Sequence, residues 1–523
     1  MTRSNALARA GLIVTIAFLA SRALGWVRLV VMGSIFGAQG ELDAFFAAFR
    51  LPDLMFQLVA AGALGSALIP VITGLLANNE PGRAWRLVST VANAMLVGLA
   101  ALAVILFIVA PVVIPAITPG FDPAQVEQTV GLTRIMLLSP ILLALGAVAT
   151  SALNATDRFA AAAVAPIAYN LGIIGGAVLL APAIGVTGVA IGVVAGSAAH
   201  LAVQLLPLRR SGFQYAATID LGDPPTREAI GLMAPRAIGL GANQITFIVA
   251  TTLASGVGVG AITAYNYAFA IMQLPLGVIG VPLGVIVFPS MARELAKGST
   301  TDYVRLLTRA LRLIVFVMVP IMALAMVLRD SIVTVLFGYG RFDDRAIALT
   351  ADTLLFFLAG LAAHASIAIL ARAFYARRDT RTPALAAILA VVTNSALAVV
   401  LAGPLGLQGL ALAIAVGAWL ETAVLLAVLK RRVPDLSLAG LGGVAAQSVL
   451  ASFVAAGAAW LALQWLGGLL GPEPNQVLIA IELAICGGLG LGVYLGLAAV
   501  LRIPELPSTI EVMRDIVLRR RST

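Results

Sequence analysis

The chain has 523 residues, 61% of them hydrophobic and 11% charged, with a mean hydropathy of +1.04. That composition excludes a soluble globular enzyme of this length, and the unbroken apolar runs exclude an outer-membrane barrel, whose strands alternate apolar and polar residues. The net charge of +9 would suggest nucleic acid in a soluble protein, but the basic residues fall in short loops between apolar runs, so topology accounts for them and no nucleic-acid partner is expected. The reading is an all-α polytopic membrane protein. Fifty-one Gly and 25 Pro suit closely packed membrane helices. The one cysteine, Cys486, lies inside an apolar run, so no disulfide framework is expected.

The first apolar run covers residues 12–36 and is long enough to cross a bilayer, since about 20 apolar residues suffice. The preceding MTRSNALAR imitates the basic start of a signal peptide. The internal repeat described below needs the segment as a helix, so it is read as retained. Arg22 sits midway along the run and Arg28 nearer its far end. A bare guanidinium at mid-membrane costs roughly 2.5–3.5 kcal/mol on insertion scales, so Arg22 should face protein or water. Arg28 has two readings: lining a wet cavity that takes an anionic headgroup, or snorkelling to the outer interface towards Asp43.

Fourteen spans follow from the apolar runs, near residues 11–36, 44–77, 86–117, 128–153, 159–183, 187–208, 228–256, 261–291, 303–328, 346–375, 382–402, 406–429, 439–470 and 476–501. Basic residues mark one side. Arg3 and Arg9 precede the first span; Arg83 and Arg86, Arg158, then Arg209 and Arg210 follow the even ones. The same side receives Arg293 and Lys297, Arg377 and Arg378, Lys430 to Arg432, and Arg519 to Arg521. Alternate loops hold Glu41, Asp122, Glu127 and Glu473, and only the loop 329–345 mixes arginine with Asp330, Asp343 and Asp344. The positive-inside rule puts both termini in the cytoplasm. The tail beyond Ile503, with Ser508 and Glu511 suited to capping and a basic end, reads as a short helix on the anionic inner leaflet.

An internal repeat organises the chain. GVTGVAIGVVAG from Gly185 resembles GLQGLALAIAVG from Gly406, GFDPAQVEQT around Asp122 resembles RFDDRAIALT around Asp343, and the offset is about 220 residues. The expected domains are a six-helix lobe (1–215), a second six-helix lobe (216–432), two further membrane helices (433–502) and a basic tail (503–523). Six is even, so both copies enter the membrane the same way round and their pseudo-twofold axis runs along the membrane normal. The expected site is the midplane cavity between the lobes.

Charge inside the spans is concentrated in the first copy, as Arg22, Arg28, Arg50 and Asp53. Arg50 and Asp53 either pair on one helix face or serve the cavity. Asn170, Asn243, Gln244, Asn266, Gln273 and Asn394 are polar candidates, each with the alternative of gluing helices by hydrogen bonds. Glu421 and Glu482 are acids within spans. His200 and His364 stand isolated from other ligand types, so no metal, cofactor or enzymatic centre is expected.

SRALGWVR from Ser21, FGAQGELDAFFAAFRLPDL from Phe36, and SALNATDRFAAAAVAPIAYNLG from Ser151 resemble the MurJ (MviN) family of lipid II flippases. So do NYAFAIMQLPLGVIGVPLG from Asn266 and LARAFYARRDTRTPAL from Leu370, within a superfamily that includes drug antiporters and polysaccharide exporters. The resemblance covers about the whole chain. It implies a V-shaped fourteen-helix protein of the bacterial inner membrane, expected as a monomer. Its cargo would be an undecaprenyl-diphosphate-linked peptidoglycan precursor, carried outward by alternating access, with cell-wall synthesis enzymes as candidate partners.

The resemblance places Ser21, Arg22 and Arg28 on the cavity-lining face of the first helix, Asp43 at the acidic position opening the second, and Asn170 in the fifth. With Arg50, Gln57 and Gln273, these are the candidate substrate-binding residues. Departures from the family pattern are Gln57 and Ala270 where arginine is common, Leu29 where an acid is common, and Ala250 and Ala398 where some members place carboxylates of a sodium site. The alternatives are export of another prenyl-linked glycan or phospholipid, or drug–cation antiport.

Overall fold

A computed structural model describes residues 3–59, 63–470 and 475–507, and these residues form helices without a β-strand. The basic tail 508–523, with its expected capping by Ser508 and Glu511, lies outside the described residues, as does Glu473. Ten helices are long and apolar enough to cross a membrane among the described residues, and eleven if one bent pair counts as a single span. The fourteen spans expected from the apolar runs are met to that extent. Two of the fourteen, 44–77 and 228–256, fall on helices that are broken or only partly apolar.

The helices pack into two compact units, Met1–Thr263 with Tyr339–Asp343, and Ala264–Gly338 with Asp344–Thr523. The first contains α1 (Arg3–Phe36), α2 (Gly40–Ala48), α3 (Arg50–Val59), α4 (Ala63–Ala77), α5 (Pro81–Ile117), α6 (Pro123–Met136) and α7 (Leu138–Ala155). It continues with α8 (Phe159–Gly175), α9 (Ala181–Ile184), α10 (Val186–Arg210) and α11 (Pro224–Ser255), and takes the first residues of α12 (Ala261–Pro275). Beyond α12 the second unit holds α13 (Val281–Ala296), α14 (Thr300–Val327), α15 (Arg329–Phe337), α16 (Asp344–Leu358), α17 (Leu361–Ala376), α18 (Arg381–Arg432), α19 (Leu438–Leu470) and α20 (Gln476–Val500).

The unit boundary therefore falls one helix later than the repeat boundary at 215/216. The reason is that α11 packs against α3, α4 and α5, and its Ala229 and Met233 join the apolar core formed by Leu68, Ile72, Val88 and Val148. The connection before α11 is pinned as well. Asn93 on α5 donates to the carbonyls of Ala216 (3.0 Å) and Thr218 (2.9 Å), and the Ala216 amide donates to the Ser89 hydroxyl.

Local chemistry sets the helix starts. Asp122 accepts from the Gln125 amide at 2.8 Å with Pro123 opening α6, and Asn475 does the same for α20 through Leu478. The internal repeat has a backbone counterpart in each unit. Asn79 and Gly298, Asp157 and Arg378, and Gly185 and Gly406 all take positive φ at equivalent places. At Gly185 (φ 59, ψ −148) and Gly406 (φ 56, ψ −133) the conformation is one that only glycine adopts at low cost. Gly406 thus breaks the 52-residue α18 into the two helices read at 382–402 and 406–429.

Candidate functional site

In the first unit, α1, α2, α3, α7, α8 and α10 enclose a cavity of about 290 Å³. Arg28 enters it from α1, Asp53 and Gln57 from α3, Ser139 from α7 and Tyr169 from α8. Phe45, Phe46, Phe49 and Phe56 supply the apolar wall. One guanidinium, one carboxyl and several neutral polar groups therefore share a mainly apolar chamber. Arginine suits phosphate there, because its planar fork gives two parallel charge-assisted hydrogen bonds.

Asp53 is oriented from outside the cavity, since Gln244 on α11 donates its amide to the carboxylate at 3.0 Å. Arg50, 7% exposed, turns to the same helix. Its Nε donates to Thr251 Oγ1 at 2.8 Å and its guanidinium lies 5.2 Å from the Phe247 ring centre. Arg50 and Asp53 stand three residues apart on α3, and their hydrogen bonds with Thr251 and Gln244 cross to α11. Arg50 thus serves a polar ladder between α3 and α11 and does not line the cavity, whereas Asp53 belongs to both.

The other sequence candidates lie elsewhere. Arg22 is exposed and stacks on Phe18 one turn earlier, with its Cζ 4.9 Å from the ring centre, outside the cavity lining. Asn170 is buried and donates to the Pro166 carbonyl (3.0 Å) and the Ser21 carbonyl (3.4 Å), so Ser21 and Asn170 join α1 to α8. Asp43, expected beside the substrate, is instead 2% exposed. Its carboxylate accepts from the amides of Gly260 (2.6 Å) and Thr263 (2.8 Å) and from the Thr263 hydroxyl (2.6 Å), which caps the start of α12. Gln273 is exposed in the second unit. The Asn243 side chain lies outside the described residues.

Of the substrate-binding candidates, then, the structure brings Arg28 and Gln57 into one chamber and adds Ser139 and Tyr169. Sequence reasoning did not single out those two, because a lone hydroxyl in an apolar run costs little to bury and so carries no signal of its own. Ala250 and Ala398 are buried and carry no side-chain oxygen, so the sodium ligands implied for some relatives are not furnished at these positions.

The fold and the chamber define a multi-pass helical membrane protein of the transporter kind. A family model described as lipid II flippase MurJ matches residues 32–471. The chain belongs to that family. It is 32% identical over 425 residues to a protein of Rhizobium tropici named probable lipid II flippase MurJ, covering 80% of this chain and 79% of the relative. The lipid II flippase MurJ of Burkholderia cenocepacia is 30% identical over 422 residues, 79% of this chain and 82% of its own length. Among solved structures, lipid II flippase MurJ in an inward closed conformation superposes with a TM-score of 0.77 at 22% identity, covering 94% of this chain and 98% of that one. An inward-facing multidrug resistance MATE family transporter of the MOP superfamily gives 0.62 at 16% identity, covering 82% and 98%.

Proposed function

We infer that the chain is a lipid II flippase, moving an undecaprenyl-diphosphate-linked peptidoglycan precursor from the cytoplasmic to the outer leaflet of the bacterial inner membrane. The observation that carries this reading is the Arg28 chamber in a chain of that family. Arg28 grips the diphosphate, while the Gln57 amide and the Tyr169 hydroxyl donate to its remaining oxygens. Asp53, held by Gln244, limits how deep a negative group travels and disfavours permanent occupancy. The prenyl tail stays in lipid. An alternating-access cycle opens the chamber to one leaflet and then the other, and both termini stay cytoplasmic. An inside-negative potential of 100 mV favours outward passage of an anionic cargo by about 2.3 kcal/mol per charge carried. No sodium step is needed.

Gln57 and Ala270, where arginine is common in the family, favour one second reading: transport of a prenyl-linked glycan with a less charged headgroup. Complementation separates the two. Expressed in a bacterium depleted of its own flippase, the parent chain restores growth and outer-leaflet lipid II, and Arg28→Ala lowers the flipping rate roughly 10- to 100-fold, the worth of a charge-assisted contact. Failure of the parent chain, made in normal amounts in the membrane, refutes lipid II as cargo. Full rescue by Arg28→Ala refutes the role of the chamber.

A further inference from the structure

The two copies of the repeat solve one packing problem with different residues. In the first, α4 packs on α7, and Gly65 faces Ser151, whose Oγ lies 4.0 Å from where a Gly65 Cβ would stand. The Ser151 hydroxyl donates to the Ala147 carbonyl one turn back at 2.8 Å. In the second, α13 packs on α17, and Gly284 faces Arg372, with a Cβ at Gly284 falling 2.7 Å from Nη1 and 3.1 Å from Cδ. Arg372 Nη1 donates to the Ala368 carbonyl one turn back at 2.6 Å. Ser151 and Arg372 are 221 residues apart, as are Ala147 and Ala368 and the helix ends Ala155 and Ala376. The register is therefore the same.

A hydroxyl is enough for that job, as Ser151 shows. Arg372 does it with one N–H of its guanidinium, so its other donors and its charge are left over. No acid pairs with it among the described residues. Nor does it snorkel. A snorkelling side chain would continue along α17 to the loop that begins at Arg377, whereas this one turns back a helical turn into the span. Gly284 keeps the space it turns into. A guanidinium held within a span, partly exposed and without an acid, is costly unless it meets water or an anion. Arg372 lies five residues before Arg377, about 7 Å by helical rise, on the side that the basic loops mark as cytoplasmic. That is the depth at which the phosphates of inner-leaflet lipids meet the hydrocarbon.

We propose that Arg372 is a cargo-binding residue of the second unit, donating its spare N–H groups to the phosphate oxygens of the lipid-linked headgroup as it leaves the inner leaflet. The proposal rests on the flippase reading above and extends it to a residue outside the Arg28 chamber. The test measures binding of lipid II to the full chain in detergent. Dioleoyl phosphatidylglycerol is the competing anionic lipid, and thermal unfolding is the control for folding.

Arg372→Ser installs the first copy's residue, so it should melt as the parent does while binding lipid II about tenfold more weakly, the worth of a charge-assisted contact. Arg372→Lys keeps the charge and should recover part of the loss. An Arg372→Ser chain that binds like the parent overturns the role. So does one that loses binding and melting temperature together, with Arg372→Lys restoring neither, because the arginine is then structural. Phosphatidylglycerol that displaces lipid II from the parent at equal concentration makes the contact a general one for anionic lipid and overturns the cargo assignment. A parent chain that binds no lipid II at all refutes the flippase reading, and this role with it.

Discussion

Asp379 sits in the loop between α17 and α18, outside the membrane spans, and satisfies several donors at once. Its carboxylate accepts from the Arg381 amide (2.9 Å), the Thr382 amide (3.0 Å) and the Thr382 hydroxyl (2.6 Å), and it pairs with Arg432. The hydrogen bonds from Thr382, with Arg432 adding to them, hold the carboxyl well below the ordinary carboxylate range. A depressed folded pKa contributes stability that is complete above the unfolded value, near 3.9, and is lost as pH falls towards the folded one. Asp379→Asn should therefore lower stability at pH 7 by about 1–2 kcal/mol, the worth of a helix cap, and should leave the difference smaller at pH 3. Unfolding of the two proteins across that pH range checks it, and equal melting at pH 7 would refute the cap.

The same distinction between saturated and available charge sorts the candidate residues. Arg28 became a candidate because a charge inside an apolar run demands a polar surrounding, and Gln57 only through its place in the family pattern. That Asp43 would be consumed in capping was not legible, since its partners lie 217 and 220 residues away. Arg50 and Asp53 likewise find Thr251 and Gln244 at separations of 201 and 191 residues. A one-dimensional pattern reports that a polar group needs a partner and does not report which one.

At the level of elements, close helix packing replaces the hydrophobic effect that lipid cannot supply. Gly172 on α8 and Gly176, the first residue of the π-helical turn that follows it, face Gly192 and Gly196 on α10, four residues apart in each pair. A Cβ at Gly176 would stand 2.7 Å from the Gly192 Cα, and one at Gly192 would stand 2.7 Å from the Gly172 carbonyl oxygen. Neither neighbour is a side chain that can swing away. Backbones this close gain dispersion contacts along both helices, as small residues four apart allow. Gly192→Val should cost roughly 1–3 kcal/mol or more from overpacking, and should shift α10 and with it Val193, which lines the Arg28 chamber. A Gly442→Val control, at a glycine with open space around it, should cost little. Detergent melting curves of the two variants decide it, and equal loss would mean that the α8–α10 contact is not the reason. The sequence reading anticipated close glycine packing only in general, from composition, and did not pick out this contact. Nor were the π-helical turns Gly176–Leu180 and Leu276–Gly280 legible, because a five-residue change of winding leaves the apolar pattern intact.

For the whole molecule, the loop 329–345 is the one place where arginines stand against the charge asymmetry of the sequence, and two of them have local partners. Arg329 is within 3.7 Å of Asp330 and 3.9 Å of Asp352. Arg341 donates to Gln39 at 3.0 Å, and its amide donates to the Ser34 carbonyl at 2.8 Å. These cations are tied down nearby, whereas the positive-inside signal counts basic residues flanking spans and gains little offset from neighbouring acids. The loop is therefore expected to follow the topology that the other loops predict. Single cysteines test this cleanly, because the native Cys486 is buried. Tyr339→Cys, at a position 42% exposed, should react with an impermeant maleimide in intact spheroplasts, while Gln214→Cys, exposed in the connection before α11, should react only after permeabilisation. The opposite pattern would invert the protein. It would overturn the proposed cytoplasmic termini, while the field would still favour outward passage of an anionic cargo, since that depends on the direction of movement and not on the carrier's orientation.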